Sequence, residues 1–258
     1  MRLLNNIEYN KDELIKKMYD DSFYYGFLGQ HALSSSSCKH LLKGELDYHK
    51  SLTQTQQKIQ AFRDGGLIHL AVLEPDKFNA LHVVSGTKAG KSFKDAVVEY
   101  GYDNVFTSSE MEKAQRVSEK LFDCKDIANI INGCQKEIPA IANIGGVPFR
   151  GKADLLDGFT VLDLKTTADL RNFESSARNF NYDIQVAIYL ELFDAIDFKF
   201  IAIDKKTLDI GFYEVSEDFI NTGKAKLNKC ITTFNNYRAN KEEFSKINTK
   251  DLYVKGKL

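Results

Sequence analysis

Gly151-Lys152-Ala153-Asp154-Leu155-Leu156-Asp157-Gly158-Phe159-Thr160-Val161-Leu162-Asp163-Leu164-Lys165-Thr166-Thr167 carries the pattern from which the architecture follows. Asp157-Gly158 lies between two alternating apolar runs, the strongest short-range signal for a two-residue hairpin turn. Pairing about that turn sets Leu156 opposite Phe159 and Asp154 opposite Val161. Residues two apart on a strand share a face, so Val161, Asp163 and Lys165 point the same way, and an even turn makes Asp154 join them. Two carboxylates and an ammonium therefore converge on one side of the hairpin. The other side reads Leu155, Thr160, Leu162 and Leu164. An odd-length turn would undo the convergence.

Neighbouring carboxylates repel, and burial makes the repulsion costly unless something offsets it. A hard divalent cation with oxygen ligands, Mg²⁺ or Mn²⁺ in its place, is the usual remedy. Protonated Lys165 is no ligand, but beside a cation it can orient or deprotonate an attacking water, or neutralise charge on a phosphate. The bland alternative is an exposed Asp–Lys pair worth ~0–1 kcal/mol. Val161, Leu162 and Leu164 mark a buried strand instead, which favours the catalytic reading.

Twenty residues on from Lys165, Gln185 and Tyr189 stand four apart in Tyr182–Ala195, a run apolar almost all round and so a buried helix. A buried Gln needs hydrogen-bond partners or costs ~1–3 kcal/mol. The combination Asp-x8-Asp-Leu-Lys followed by Gln-x3-Tyr resembles the PD-(D/E)XK nuclease superfamily in its RecB-like branch. Ala153-Asp154 stands where that family has Pro-Asp, Asp163-Leu164-Lys165 where it has (Asp/Glu)-x-Lys, and Gln185 to Tyr189 where it has its Gln-x3-Tyr helix. A second stretch, Gly65 to Phe78 with His69 ahead of Leu73-Glu74-Pro75, resembles the corresponding segment of RecE-type exonucleases (exodeoxyribonuclease VIII). Leu33 to Leu42 looks like the Ser-rich helix start that opens those domains, and physically it is a run of N-cap candidates.

The resemblance covers roughly residues 30 to 220 and implies a set of roles. Asp154, Asp163, the Leu164 carbonyl and His69 would hold Mg²⁺, with Mn²⁺ substituting. Lys165 would position water, and Gln185 and Tyr189 would brace Lys165 or contact the DNA backbone. It implies digestion of linear duplex DNA from its ends, 5′ to 3′, leaving a 3′ single strand. A single-strand-annealing recombinase as partner and a homo-oligomer, ring-shaped in some relatives, belong to the same implication. An endonuclease or a single-strand exonuclease would use the same residues, and a non-catalytic DNA-binding relic would keep the fold. After Phe198–Asp204 the chain departs from the family, reading Lys205-Lys206-Thr207-Leu208.

Composition agrees with one α/β domain over residues 1–258, a mixed central sheet flanked by helices. Its parts are a helical region to about 75, a catalytic sheet core at about 137–215, and a basic C-terminal helix and tail over 218–258. No run of ~18 apolar residues exists to cross a membrane, and Met1 to Asn6 lacks the apolar core of a secretory signal, so a cytoplasmic enzyme is expected. Cys38, Cys124, Cys134 and Cys230 have no metal-binding spacing. Only Cys230 follows the nuclease motifs, so the iron–sulfur cluster of some RecB-like nucleases is not expected. Net charge is −1, yet residues 221–258 carry nine Lys/Arg against three acids, leaving −7 for residues 1–220. That basic end reads equally as a phosphate-contacting surface or a solvated helix face.

Helices are expected over 11–62, Lys50–Leu73 (ended by Glu74-Pro75), Phe93–Gly101, Ser108–Asn132 with a Ser109/Glu112 capping box, and Asp218–Lys241. Strands are expected at Ala80–Val84, Glu137–Ala142, Val147–Leu156, Phe159–Lys165, Phe198–Ile203 and Ile210–Val215. Glu137 could reach the acidic sheet region or be a plain strand-end carboxylate, and it stays outside the predicted site. Gly86-Thr87-Lys88-Ala89-Gly90-Lys91-Ser92 resembles a phosphate-binding P-loop but has too few residues between its glycines. It reads better as a basic loop offering Lys88, Lys91 and Lys94 to DNA, and no nucleotide binding is expected.

Overall fold

Five strands form one mixed sheet in chain order: β3 (Gln135–Ile144), β4 (Val147–Asp157), β5 (Thr160–Thr167), β6 (Asp197–Asp204) and β7 (Ile210–Glu214). The protein is seen here as a computed structural model describing residues 1–53 and 60–246. β5 and β6 run parallel and the other neighbours antiparallel. The expected Lys50–Leu73 helix passes through 54–59, which lie outside the described residues, as do Lys250, Lys255 and Lys257 of the basic tail.

Helices cover both faces. Around the sheet lie α1 (Lys11–Lys17), a π-helical turn at Ser22–Phe27, α2 (Leu28–His31), α3 (Ser35–Leu41), α4 (Glu45–Thr53), α5 (Gln60–Leu73), α6 (Pro75–Asn79), α7 (Lys91–Tyr100), α8 (Ser108–Asp123), α9 (Lys125–Gly133), α10 (Phe173–Asn179), α11 (Tyr182–Leu192), α12 (Glu217–Ala239) and α13 (Lys241–Ser245). The period of two along β6 sorts the core: Phe198, Phe200 and Ala202 join the layer of α3, α11 and α12, while Ile201 and Ile203 join that of α5, α8 and α9. Burial on both faces explains why Phe200 to Ile203 of β6 reads as an uninterrupted apolar run. α11 and α12 approach so closely that a Cβ on Gly223 would meet the Asp183 carbonyl oxygen at 2.0 Å, so glycine is required there. Lys226 ties the same two helices, 2.6 Å from buried Asp183. At least one basic residue of the C-terminal region therefore serves the fold. Among the described residues no helix is long and apolar enough to cross a membrane.

Several boundaries move. The hairpin pairs Asp157 with Thr160 and Leu156 with Val161, two residues away from the expected register. Gly158-Phe159 forms the turn, with Gly158 at φ 55, matching the type II′ preference for glycine at the first central position. A slip of two keeps Leu155, Leu162 and Leu164 on one face as expected. Asp154 does not join Asp163 on the other, because β4 loses its alternation between Ala153 and Leu155 and Asp154 is left out of both ladders. The capping box is Thr107/Glu110 rather than Ser109/Glu112, because Thr107 ends a buried strand and already has the extended backbone an N-cap needs. Cys124, with ψ 100, breaks the expected 108–132 helix into α8 and α9. Glu74 leaves the helical region before Pro75, and Pro75 then opens α6 at its first position. Two short strands, β1 (His82–Val84) and β2 (Val105–Thr107), pair in parallel around α7, and the first, shorter than the expected Ala80–Val84, leads into the Gly86–Ser92 loop. Lys88 of that loop is held by Glu110 at 2.6 Å and Gln60 at 2.7 Å.

Candidate active site

The site forms where the sheet is incompletely paired. β4 and β5 are laddered only from Asp157↔Thr160 to Leu155↔Leu162. Beyond that point Leu164 donates its amide to Asp154 Oδ2 at 2.8 Å, in place of a strand partner. β4 also changes face here: Ala153 packs with Val161 in one layer and Leu155 with Leu162 in the other. Directly across, Glu137 holds a left-handed backbone at φ 52, and neither it nor Asp154 takes part in the β3–β4 ladder around them. A non-glycine residue in that conformation costs of order 1 kcal/mol or more.

Asp154 lies in the gap and is reached from the α5 layer by His69, whose Nδ1 stands 3.5 Å from Oδ2. α5 aims His69 there because its neighbours Leu67, Ile68, Val72 and Leu73 are buried against Leu155, Leu162 and Leu164. Asp163, 1 % exposed, faces the opposite layer. Its Oδ1 accepts a short hydrogen bond from Gln185 Nε2, and Lys165 Nζ stands 2.5 Å from its Oδ2. Lys165 also donates to Gln185 Oε1 at 3.1 Å and lies 4.7 Å from the Tyr182 ring centre. The structure thus puts Gln185 between Asp163 and Lys165. Tyr189, one turn on, donates instead to the Lys152 carbonyl at 3.0 Å, away from the two carboxylates.

Burial, then Asp163, pushes the Asp154 carboxyl up to about 6. Burial opposes the Lys165 charge, but Asp163 and Asp154 outweigh it and hold the ammonium above its ordinary pKa. Burial followed by Asp154 and Glu74 lifts Glu137 to about 8. Glu137 therefore belongs to the charged cluster although it stays outside the sequence-predicted site, and its left-handed backbone has no composition signal to announce it. Lys152, with 9 % of its side chain exposed, lies 3.9 Å from Glu137 and was equally invisible in the sequence.

The donor set suits a hard cation. Asp163 Oδ2 is buried and accepts no hydrogen bond of good geometry despite the nearby ammonium, and Asp154 is destabilised as an anion by burial and then by Asp163. A divalent ion would relieve both. Among the described residues, however, no three His, Cys, Asp or Glu side chains stand close enough together to hold a metal. Asp163 turns to Lys165 and Gln185, and Asp154 to His69 and the Leu164 amide.

A mixed sheet whose parted hairpin sets Asp-x8-Asp-Leu-Lys against a Gln-x3-Tyr helix defines a PD-(D/E)XK domain. The chain belongs to the PDDEXK-like domain family of unknown function, DUF3799, whose model matches residues 34–249. Among solved structures it is similar to a candidate exonuclease from Eubacterium rectale, with a TM-score of 0.68, 15 % identity, and 93 % of this chain and 95 % of that one covered. This similarity speaks for the fold. A phage-related exonuclease from Haemophilus somnus aligns more loosely, with a TM-score of 0.33 and 14 % identity over 59 % of this chain and 85 % of that one. No curated protein matches the sequence.

Proposed function

We propose that this protein is a divalent-metal-dependent DNA exonuclease that degrades linear duplex from its ends, 5′ to 3′. The observation that carries the reading is the meeting of Asp154, Asp163, Lys165 and Gln185 at the unpaired part of β4 and β5. Asp154 and Asp163 would hold Mg²⁺ or Mn²⁺, with His69 and the Leu164 carbonyl as further donors. The cation would supply Lewis-acid stabilisation of the charge that builds on the phosphate. Lys165, kept as an ammonium by the two aspartates, orients the attacking water and offsets that charge. Gln185 fixes the Lys165 amine and the Asp163 carboxylate relative to each other. The exonuclease form of the reading, a 3′ single-stranded product, a ring-shaped homo-oligomer and a single-strand-annealing recombinase as partner rest on the likeness of Gly65–Phe78 to RecE-type enzymes.

The test compares 5′- and 3′-labelled linear duplex, nicked circles and single strands, each with Mg²⁺ and with chelator. Mg²⁺-dependent loss of the 5′ label from linear duplex alone is expected. Cutting of circles would replace the exonuclease with an endonuclease, preference for single strands would make it a single-strand exonuclease, and DNA binding without cutting would leave only a relic.

A further inference from the structure

Outside the Asp154–Lys165 cluster, one carboxylate is held by two ammonium groups from different elements. Asp21 Oδ2 stands 2.8 Å from Lys77 Nζ on α6, and its Oδ1 stands 2.9 Å from Lys152 Nζ on β4. Each lysine has a second acid at its back: Glu74 lies 2.7 Å from Lys77, and Glu137 lies 3.9 Å from Lys152. Neither lysine would be left without an acid neighbour if Asp21 moved away. The two amines grip Asp21 from either side, as they would grip two oxygens of a phosphate.

The arrangement adjoins the site. Lys152 and Asp154 are two positions apart on β4 and share Glu137 as a charged neighbour, Lys152 Nζ at 3.9 Å. Tyr25, 66 % exposed, flanks the same lysine, with Lys152 Nζ 6.0 Å from its ring centre. Asp21 opens the π-helical turn Ser22–Phe27, a rare conformation that occurs disproportionately at functional sites. Its side chain is 46 % exposed, open enough to swing into solvent.

We propose that Lys77 and Lys152 form a subsite for a DNA backbone phosphate beside the catalytic carboxylates, and that Asp21 occupies it as a carboxylate stand-in until the substrate displaces it. The inference rests on the nuclease reading above and extends it to a named phosphate contact. A salt bridge that served only to pin the N-terminal segment would make no such exchange, and the two roles predict opposite effects of removing Asp21.

The experiment measures binding of a short fluorescein-labelled linear duplex to the full chain by anisotropy, in Ca²⁺ and over a range of salt. D21N and D21A are expected to tighten binding several-fold. K77A and K77Q are expected to weaken it and to flatten the dependence of log affinity on log salt by about 0.9, one phosphate contact. Melting curves on the same samples confirm that each variant is folded. Weaker binding by folded D21N, or an unchanged salt slope in K77A and K77Q, overturns the subsite. If the wild-type chain still digests DNA, that result leaves the nuclease reading standing. If wild type neither binds nor digests DNA, both fall.

Discussion

The β3–β4 and β4–β5 ladders share a strand and differ in how far they pair. β3 and β4 are joined at nine positions from Gln135↔Leu156 to Ile144↔Val147, omitting Glu137 and Asp154. β4 and β5 are joined at three and then part. Pairing in the first ladder uses the backbone amides up, whereas parting in the second frees the Leu164 amide for a carboxylate. The gap also lets His69 from one helical layer and Gln185 from the other approach adjacent aspartates. The lesson is that polar side chains collect where a sheet buried on both faces leaves its ladder unfinished, because buried backbone and carboxylate groups must satisfy one another there.

Lys165→Met should have the largest effect at the parted ladder. It removes the only ammonium within ion-pair distance of Asp163 among the described residues. Mg²⁺-dependent digestion should fall by a factor on the order of 10²–10⁴. Stability should fall as well, by about 3–5 kcal/mol if Asp163 stays charged and buried. Undiminished digestion by the folded variant would remove Lys165 from the mechanism.

Gln185→Ala should act more mildly, lowering activity roughly 10–100-fold, the usual scale for a residue that orients a metal ligand. It touches both Asp163 and Lys165, so its effect should fall on the turnover number and on Mn²⁺ affinity, leaving DNA affinity close to wild type. A change confined to melting temperature would reduce Gln185 to a packing role.

Acidity acts on the two residues that the first ladder omits. Asp154 and Glu137 hold their protons to about 6 and about 8 in the folded chain, above their ordinary values of 3.8 and 4.5. Between those limits the folded state binds more protons than the unfolded state, so stability falls as pH rises. Their contribution is full below the ordinary values and lost on passing through about 6 for Asp154 and about 8 for Glu137. In chelator, the melting temperature should therefore decline from pH 5 to pH 9, and Glu137→Gln should flatten the upper part of that decline. A melting temperature that climbs over this range in wild type would contradict the placement of these acids.

The parts of this design that the sequence showed were those set by short-range rules. Asp157-Gly158 announced the hairpin, and a two-residue error in register still left Leu155, Leu162 and Leu164 on one face. Asp154, however, turns into the gap toward His69 and does not share the face of Asp163, because β4 loses its alternation between Ala153 and Leu155. The i, i+4 spacing of Gln185 and Tyr189 placed both on α11, but only Gln185 meets the carboxylates. Missed features depend on distant partners. β2 is three residues long and is a strand only because it pairs with β1. Asp21 meets Lys152 across 131 positions, beyond any periodicity. The left-handed turn at Glu137 is imposed by the sheet around it, since glutamate has no intrinsic preference for that region.

A crystal grown or soaked in Mn²⁺ and measured for anomalous scattering decides whether the two aspartates hold a cation. An anomalous peak held by Asp154 and Asp163 is expected, and its loss in Asp154→Asn. Clear side-chain density for both aspartates with no anomalous peak between them at saturating Mn²⁺ would contradict it.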